Sequence, residues 1–322
     1  MASLFDLDLD RHLGADSHLL KIDKLLKWYR FSKILRGVHS DLGPQGYDSV
    51  QMFKCLLLQW LHSLSDPSLE QSLRVRLDFL QFTGFSVGDK LPDETTFCRF
   101  RNKLIESGKF EKLFNEVNRQ LEEHGLKIKN ADVAIVDATI ISANARPRKV
   151  IEANEDDNPS TTYSADADAK WLKKGKNYYF GYRGFARSDA EGFIDKTHVK
   201  PANSSETKEL DKMTDDLPEG IRVQADKGFF STANKAMLKS KKLKNGLMYK
   251  AFRNKPLTRR MVQFNKLISK TRWRIEQCFG TIKRRFTFQK ASYFTTIKVD
   301  AQFKMKAMCH NLIKAVNKIE FV

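Results

Sequence analysis

Val133-Ala-Ile-Val-Asp-Ala-Thr-Ile-Ile141 is the stretch on which the fold turns. A short β-rich run, Val133–Val136, ends in an aspartate and is followed by Thr139-Ile140-Ile141. The pattern returns at Ile221–Ala225, which ends in Asp226 and is followed by Lys227-Gly228. Tyr178–Phe185 and Phe193–Val199 alternate around the turn-like segment Ser188–Gly192 and predict a hairpin. Helices are expected over Glu206–Leu217, Thr232–Leu238 and, with a break, Val262–Phe286, and a further strand over Gly246–Phe252. Strand, hairpin, helix, strand, helix, strand, helix is an α/β order with a mixed sheet.

Upstream, residues 15–125 read as helices. Asp48 and Ser49 are cap candidates for an apolar helix over Ser49–Leu64. Asp66-Pro67 offers a cap with proline at the first helical position, for a helix over Leu69–Phe82. Asp93 caps a third helix, Glu94–Ile105, ended by Ser107-Gly108, and a fourth runs from Phe110 to His124. The third carries Thr95, Thr96, Arg99, Arg101, Asn102 and Lys103, so it is either a helix-turn-helix-like DNA reader with Arg99 on its face or an ordinary amphipathic helix. The expected division is an all-α domain over 1–125 and an α/β domain over 126–322.

The formal charge is +18. Residues 227–322 hold 24 Lys or Arg against 3 Asp or Glu, a net of +21, which leaves 33 against 36 before them. A field of that sign confined to the last 96 residues fits a nucleic-acid partner, because each phosphate neutralised releases counterions. Cys55, Cys98, Cys278 and Cys309 form no CxxC pair, which argues against a zinc site or disulfide framework. The acidic start, MASLFDLDLDRHLG, is no secretory signal, and no run of about 18 apolar residues is present to span a membrane. A soluble, cytoplasmic chain is expected.

Glu276 stands in Thr271–Arg285, TRWRIEQCFGTIKRR, as the only acid between Asp226 and Asp300. On a helix, Arg272, Glu276 and Lys283 share one side, beside an apolar stripe of Ile275, Phe279, Ile282 and Phe286. Asp137 and Asp226 each follow a strand, where an acid serves as turn or cap residue or joins a site at the strand ends. Glu276 serves either in an ion pair with Arg272 or Lys283, or as a ligand. Converging, the three carboxylates suit Mg²⁺, with Mn²⁺ as substitute, and two such ions about 4 Å apart are a phosphoryl-transfer arrangement.

VDATIISA (136–143), ADKGF (225–229) and RWRIEQCFGTIKRR (272–285) resemble the motifs of bacterial DDE transposases, of the insertion-sequence-five group within the RNase H-like superfamily. DAKWLKKGKNYYFGYRG (168–184) and VKPANSSETKEL (199–210) are similar to that group's intervening segments. The resemblance covers nearly the whole chain. It implies an RNase H-like mixed sheet with flanking helices behind the all-α domain, and Asp137, Asp226 and Glu276 as catalytic metal ligands. It also brings a Tyr-x₂-Arg-x₃-Glu-x₆-Lys signature, which Arg272, Glu276 and Lys283 fit with Ser269 in the tyrosine position. Relatives commonly carry Asp where this chain has Glu206, to which no role is assigned.

The implied reaction nicks DNA at element ends and joins the freed 3′-hydroxyls to target DNA, with a homodimer on paired ends near the nucleoid. Arg272 and Lys283 are expected to contact phosphates near the scissile bond, and Lys227, Arg284 and Arg285 are further expected DNA contacts. Asn144–Lys176 reads as a long loop in which Trp171, among lysines, either stacks on a base or packs at the domain edge. Lys298, Lys304, Lys306, Lys314 and Lys318 line a C-terminal helix and either grip DNA or face solvent. Two other functions fit the same residues: a transposase-derived DNA-binding regulator, and a metal nuclease without strand transfer.

Overall fold

The computed structural model describes residues 17–38, 46–126, 132–145, 147, 150–152, 160–162 and 165–319, so the reading of Met1–Gly14 lies outside the described residues. The chain forms two compact units, one of residues 1–126 with 304–322 and one of residues 127–303. Residues 304–322 thus group with the helical unit, whereas the sequence reading placed them with the α/β part.

The helical unit contains α1 (His18–Leu25), α2 (Trp28–Leu35), α3 (Ser49–Leu61), α4 (Asp66–Val75), α5 (Leu77–Thr83), α6 (Glu94–Glu106) and α7 (Lys109–Glu123). Asp48 caps α3 by accepting from Val50 N and Gln51 N, both at 2.9 Å, and α3 buries Met52, Phe53 and Leu56–Leu61. Phe53 stacks on Phe31 with ring centroids 5.5 Å apart. Asp93 caps α6 through Thr96 N at 2.7 Å. The helix expected over Leu69–Phe82 is two helices, because Arg76 is extended (φ −105°, ψ 111°) and turns its guanidinium onto Asp78.

Two further expectations are corrected. Ser65, not Asp66, caps α4, which frees the Asp66 carboxylate to take Arg101 Nη1 and Nη2 at 2.8 and 2.7 Å. Arg101 is therefore buried and bonded to Gln59 as well, so it cannot belong to a DNA-reading face, while Arg99 on the same helix is exposed. Lys304 and Lys306, on the C-terminal helix, are buried too. Lys304 pairs with Glu111 at 3.2 Å, and Lys306 lies 5.0 Å over the Trp60 ring, where burial pushes its pKa down to about 8.

The second unit is built on one mixed sheet. Its strands are β1 (Val133–Ser142), β4 (Lys170–Lys174), β5 (Asn177–Ser188), β6 (Ile194–Pro201), β7 (Arg222–Ala225) and β8 (Lys244–Leu247). β2 (Val150–Glu152) and β3 (Ser160–Thr162) pair separately. β5 runs antiparallel to β1 and β6, and β7 and β8 run parallel to β1, giving the order β6-β5-β1-β7-β8 with β4 extending β5. The expected hairpin forms, its turn closed by Asp189 accepting from Glu191 N and Phe193 N, with Gly192 at φ 86°. Part of the expected loop is instead a strand: Lys170–Lys174 pairs with β5, Trp171 opposite Phe180.

Alternation assigns the faces of β1. Ala134, Val136 and Ala138 join Val223, Ala225, Leu247 and the helices α8 (Glu206–Met213) and α9 (Thr232–Ser240) in one core. Ile135, Asp137 and Thr139 point to the other face, which α10 (Arg259–Arg285) covers. The break expected in α10 is absent, because Thr258 caps its start and one apolar stripe, Ile268, Ile275, Phe279 and Ile282, runs on through it. After α10 the chain pairs with the end of β1 (Ser142 N to Gln289 O, 3.0 Å) and enters α11 (Thr296–Val316), whose first N–H groups meet Asp166 and Asp168.

Replacing Arg101 with Met leaves the Asp66 carboxylate without its cation and should lower stability by about 3 kcal/mol. Urea unfolding of the full chain tests this, with Asp66→Leu/Arg101→Met expected to regain most of the loss.

Candidate active site

Register brings the first two acids together. The parallel ladder ends at Val136 opposite Ala225, so the next residue in each strand is Asp137 or Asp226. Asp137 is not at a strand end, as the sequence suggested. β1 continues to Ser142 because β5 still pairs with it there, and only the β7 side stops. On that side the chain leaves the sheet as a 3₁₀ turn, Lys227–Phe229, which Asp226 caps through Gly228 N at 2.7 Å. α10 crosses the same face and is held to it by Thr271 Oγ1 on Gln224 (2.5 Å) and Cys278 on Gly192 O (3.2 Å).

Arg272 then meets all three carboxylates. Its guanidinium lies 3.7 Å from Asp137 Oδ2 and 3.8 Å from Asp226 Oδ2, and it pairs with Glu276 one turn along the helix. Asp137 is 13% exposed, Asp226 35% and Glu276 56%, so the site grades from interior to surface. Burial pushes the Asp137 carboxyl up to about 7; Asp226 and Glu276 add to the rise, against Arg272 and the Ala138 N–H. Arg272 is thus committed to the acids in this arrangement rather than turned outward.

Sequence reasoning gave Glu206 no role and did not single out Arg183, yet both belong here. Glu206 opens α8, pairs with Arg183 of β5 at 3.1 Å and covers Gly228 so closely that a Cβ there would collide with its carboxylate. Burial and Asp226 both raise its pKa. A glycine two residues after a strand-end acid is the one local sign of such a close approach. Beside the acids a cavity of about 660 Å³ is lined by Thr139, Lys173, Lys174, Arg183, Glu206 and Lys283 among others. Burial and then Lys174 lower the pKa of Lys283.

The other expected DNA contacts are dispersed. Lys227 is exposed on the 3₁₀ turn, and Arg284 and Arg285 are exposed at the end of α10. Trp171 is 43% exposed on β4, its ring 5.3 Å from Phe180. Arg99 lies in the helical unit.

The family model described as transposase DDE domain matches residues 129–312, the span that carries all three acids. The chain belongs to the DDE transposase family. A second model, transposase domain (DUF772), matches residues 7–103 of this transposase. The transposase for insertion sequence element IS1106 of Neisseria meningitidis serogroup B is 46% identical over 226 residues, 69% of this chain and 78% of that one. A crystal structure of a pre-cleavage Mos1 transpososome is 10% identical over 91% of this chain and 86% of that chain, with a TM-score of 0.22. The protein is thus a bacterial DDE insertion-sequence transposase.

Transposases of this family use divalent metal. Among the described residues no three acidic, histidine or cysteine groups stand as a ready ligand set. The donor chemistry nevertheless fits: three hard carboxylates surround one guanidinium, Arg272, which supplies positive charge among them. Without that cation the three acids repel one another, and the Asp137 carboxyl moves further above its unfolded pKa. A raised folded pKa favours the native state at low pH and costs stability as pH rises through it. Arg272→Gln should therefore destabilise the metal-free transposase by on the order of 1–3 kcal/mol at pH 8, and by less at pH 6. Thermal melts in chelator at the two pH values test this.

Proposed function

We propose that Asp137, Asp226 and Glu276 form the catalytic centre of this transposase and hold two Mg²⁺ ions, with Mn²⁺ able to substitute. The convergence of the three acids on one guanidinium carries this reading. Bound there, divalent cations polarise a phosphodiester and make a water or 3′-hydroxyl nucleophilic near neutral pH.

The chain's own groups do the rest. In the first step water adds to the phosphorus at the element end, the P–O3′ bond breaks, and the leaving 3′-oxygen takes a proton. In the second that 3′-hydroxyl attacks a target phosphodiester, loses its proton, and expels the target's 3′-oxygen. The depth of Asp137 keeps the reacting phosphorus against the sheet, and the exposure of Glu276 leaves a path for DNA to arrive. Lys283 and Lys174 offer cations to the strand in the neighbouring cavity. Were a divalent ion held there, Glu276 would serve as its ligand and Arg272, now paired with Glu276, would be freed to meet phosphate. Two ends and one target must be joined together, which favours a homodimer on paired ends. The described helices include none long and apolar enough to cross a membrane, and we place the enzyme in the cytoplasm at the nucleoid.

DNA carrying the inverted repeats that flank the gene, incubated with Mg²⁺ or Mn²⁺, should be cut at the repeat ends and joined to target. Glu276→Gln should lose this activity by on the order of 10³-fold and keep DNA binding. Cutting without joined products would indicate a nuclease, and binding without cutting a regulator. Because Asp137 must release a proton to bind metal, Mn²⁺ affinity should rise roughly tenfold per pH unit up to about 7 and level off above it. Calorimetric titrations from pH 6 to 8 should show this slope in wild type and lose it in Asp137→Asn.

A further inference from the structure

Asp226 is aimed by a turn, and the turn is held by residues outside the three acids. Asp226 Oδ1 accepts from Gly228 N at 2.7 Å, while its Oδ2 lies 3.8 Å from Arg272. The bond to Gly228 fixes the plane of the carboxylate, so the acid points where the 3₁₀ turn Lys227–Phe229 directs it. A single 3₁₀ turn has poor hydrogen-bond geometry and little stiffness of its own. Its rigidity has to come from what packs against it.

Two contacts supply it. Asn234, buried on α9, donates through Nδ2 to Phe229 O (2.7 Å) and Thr207 O (3.0 Å), which ties the end of the turn to the start of α8. Glu206, the residue before Thr207, braces the middle. Its carboxylate lies in the space a Cβ of residue 228 would take, and Asp226 Oδ1 is 3.0 Å from the same point, so Gly228 is wedged between the two acids. The other oxygen, Glu206 Oε1, pairs with Arg183 Nη1 at 3.1 Å. Arg183 stands on β5 where that strand is paired on both sides, opposite Ile140 of β1 and Lys200 of β6. A brace anchored there moves no more than the sheet does. Placing Glu206 toward Asp226 brings like charges together, a cost that mere filling of space would not require. The charge draws the Arg183 guanidinium, and a charge-assisted bond holds the brace in one rotamer.

We propose that Glu206 is a positioning residue: held by Arg183, it presses on Gly228 so that the Gly228 amide keeps Asp226 in the orientation the metal requires. Glu206 acts through the turn and not as a further ligand. The consequence at the metal rests on Asp226 belonging to the active centre. The bracing of Gly228 does not.

Nuclear magnetic resonance of the full chain in chelator, labelled with ¹⁵N-glycine, tests the brace. The Gly228 amide, assigned by its loss in Gly228→Ala, should lie downfield and exchange slowly, and Glu206→Ala should move it upfield and speed its exchange. By calorimetry Glu206→Ala should weaken Mn²⁺ binding about tenfold, and kcat for end cleavage should fall by a similar factor with KM for DNA unchanged. Glu206→Gln keeps the shape and the oxygen that Arg183 holds, so it should lose much less. Gly228→Ala should weaken Mn²⁺ more than Glu206→Ala does, because the new methyl group pushes on both acids. Adding Glu206→Ala to it should restore part of the affinity rather than multiply the losses. A Gly228 amide indifferent to Glu206→Ala, or losses that multiply in the double variant, would overturn the proposal. Glu206→Gln as damaging as Glu206→Ala would overturn it in favour of direct ligation of the metal. Mn²⁺ bound by Asp226→Asn as by wild type would instead remove the active-centre reading and the metal half of the proposal, while a Gly228 amide that still answers to Glu206→Ala would uphold the brace.

Discussion

Three carboxylates crowded into a half-buried site repel one another unless a cation or a proton stands among them, and Arg272 supplies the cation here. Asp137 has its position because β7 stops pairing one residue before it, and Asp226 because the same strand breaks into a 3₁₀ turn. Glu276 and Arg272 come on one helix, one turn apart, pinned to the sheet by Thr271 and Cys278. The sheet thus supplies two charges at fixed spacing, and the helix supplies both a third and its counter-charge. The guanidinium of Arg272 occupies the space among the three acids and gives their arrangement a definite structure.

The α/β order and the hairpin were legible because period and turn chemistry are local signals. Val133–Val136 and Ile221–Ala225 each advertise a buried parallel strand, and Ser188–Gly192 carries the residues a tight turn requires. What the sequence hid depends on contacts distant in the chain. Arg101 looks like a surface cation on an amphipathic helix until Asp66, thirty-five residues earlier, is seen to face it. Lys304 and Lys306 look like a solvated stripe, but their helix lies inside a core. The end of β1 could not be placed at Asp137 from its own residues, because β5 and not β7 decides where it stops.

The site shows the same division. Asp137, Asp226 and Glu276 were marked by position and by the basic field around them. Glu206 and Arg183 were not, since nothing in VKPANSSETKEL reveals that its glutamate folds over Gly228. Even Arg272, expected as a phosphate contact, has a role that only geometry separates from its neighbours: it is the one described cation pairing with all three acids.

The close approach of Glu206 to Gly228 has a consequence for how this lineage can change. The two positions share one volume only from one side: a side chain at 228 needs residue 206 to be shorter or turned to another rotamer, whereas a shorter residue at 206 meets no clash with the glycine. Change at 206 is therefore open first, and change at 228 follows it.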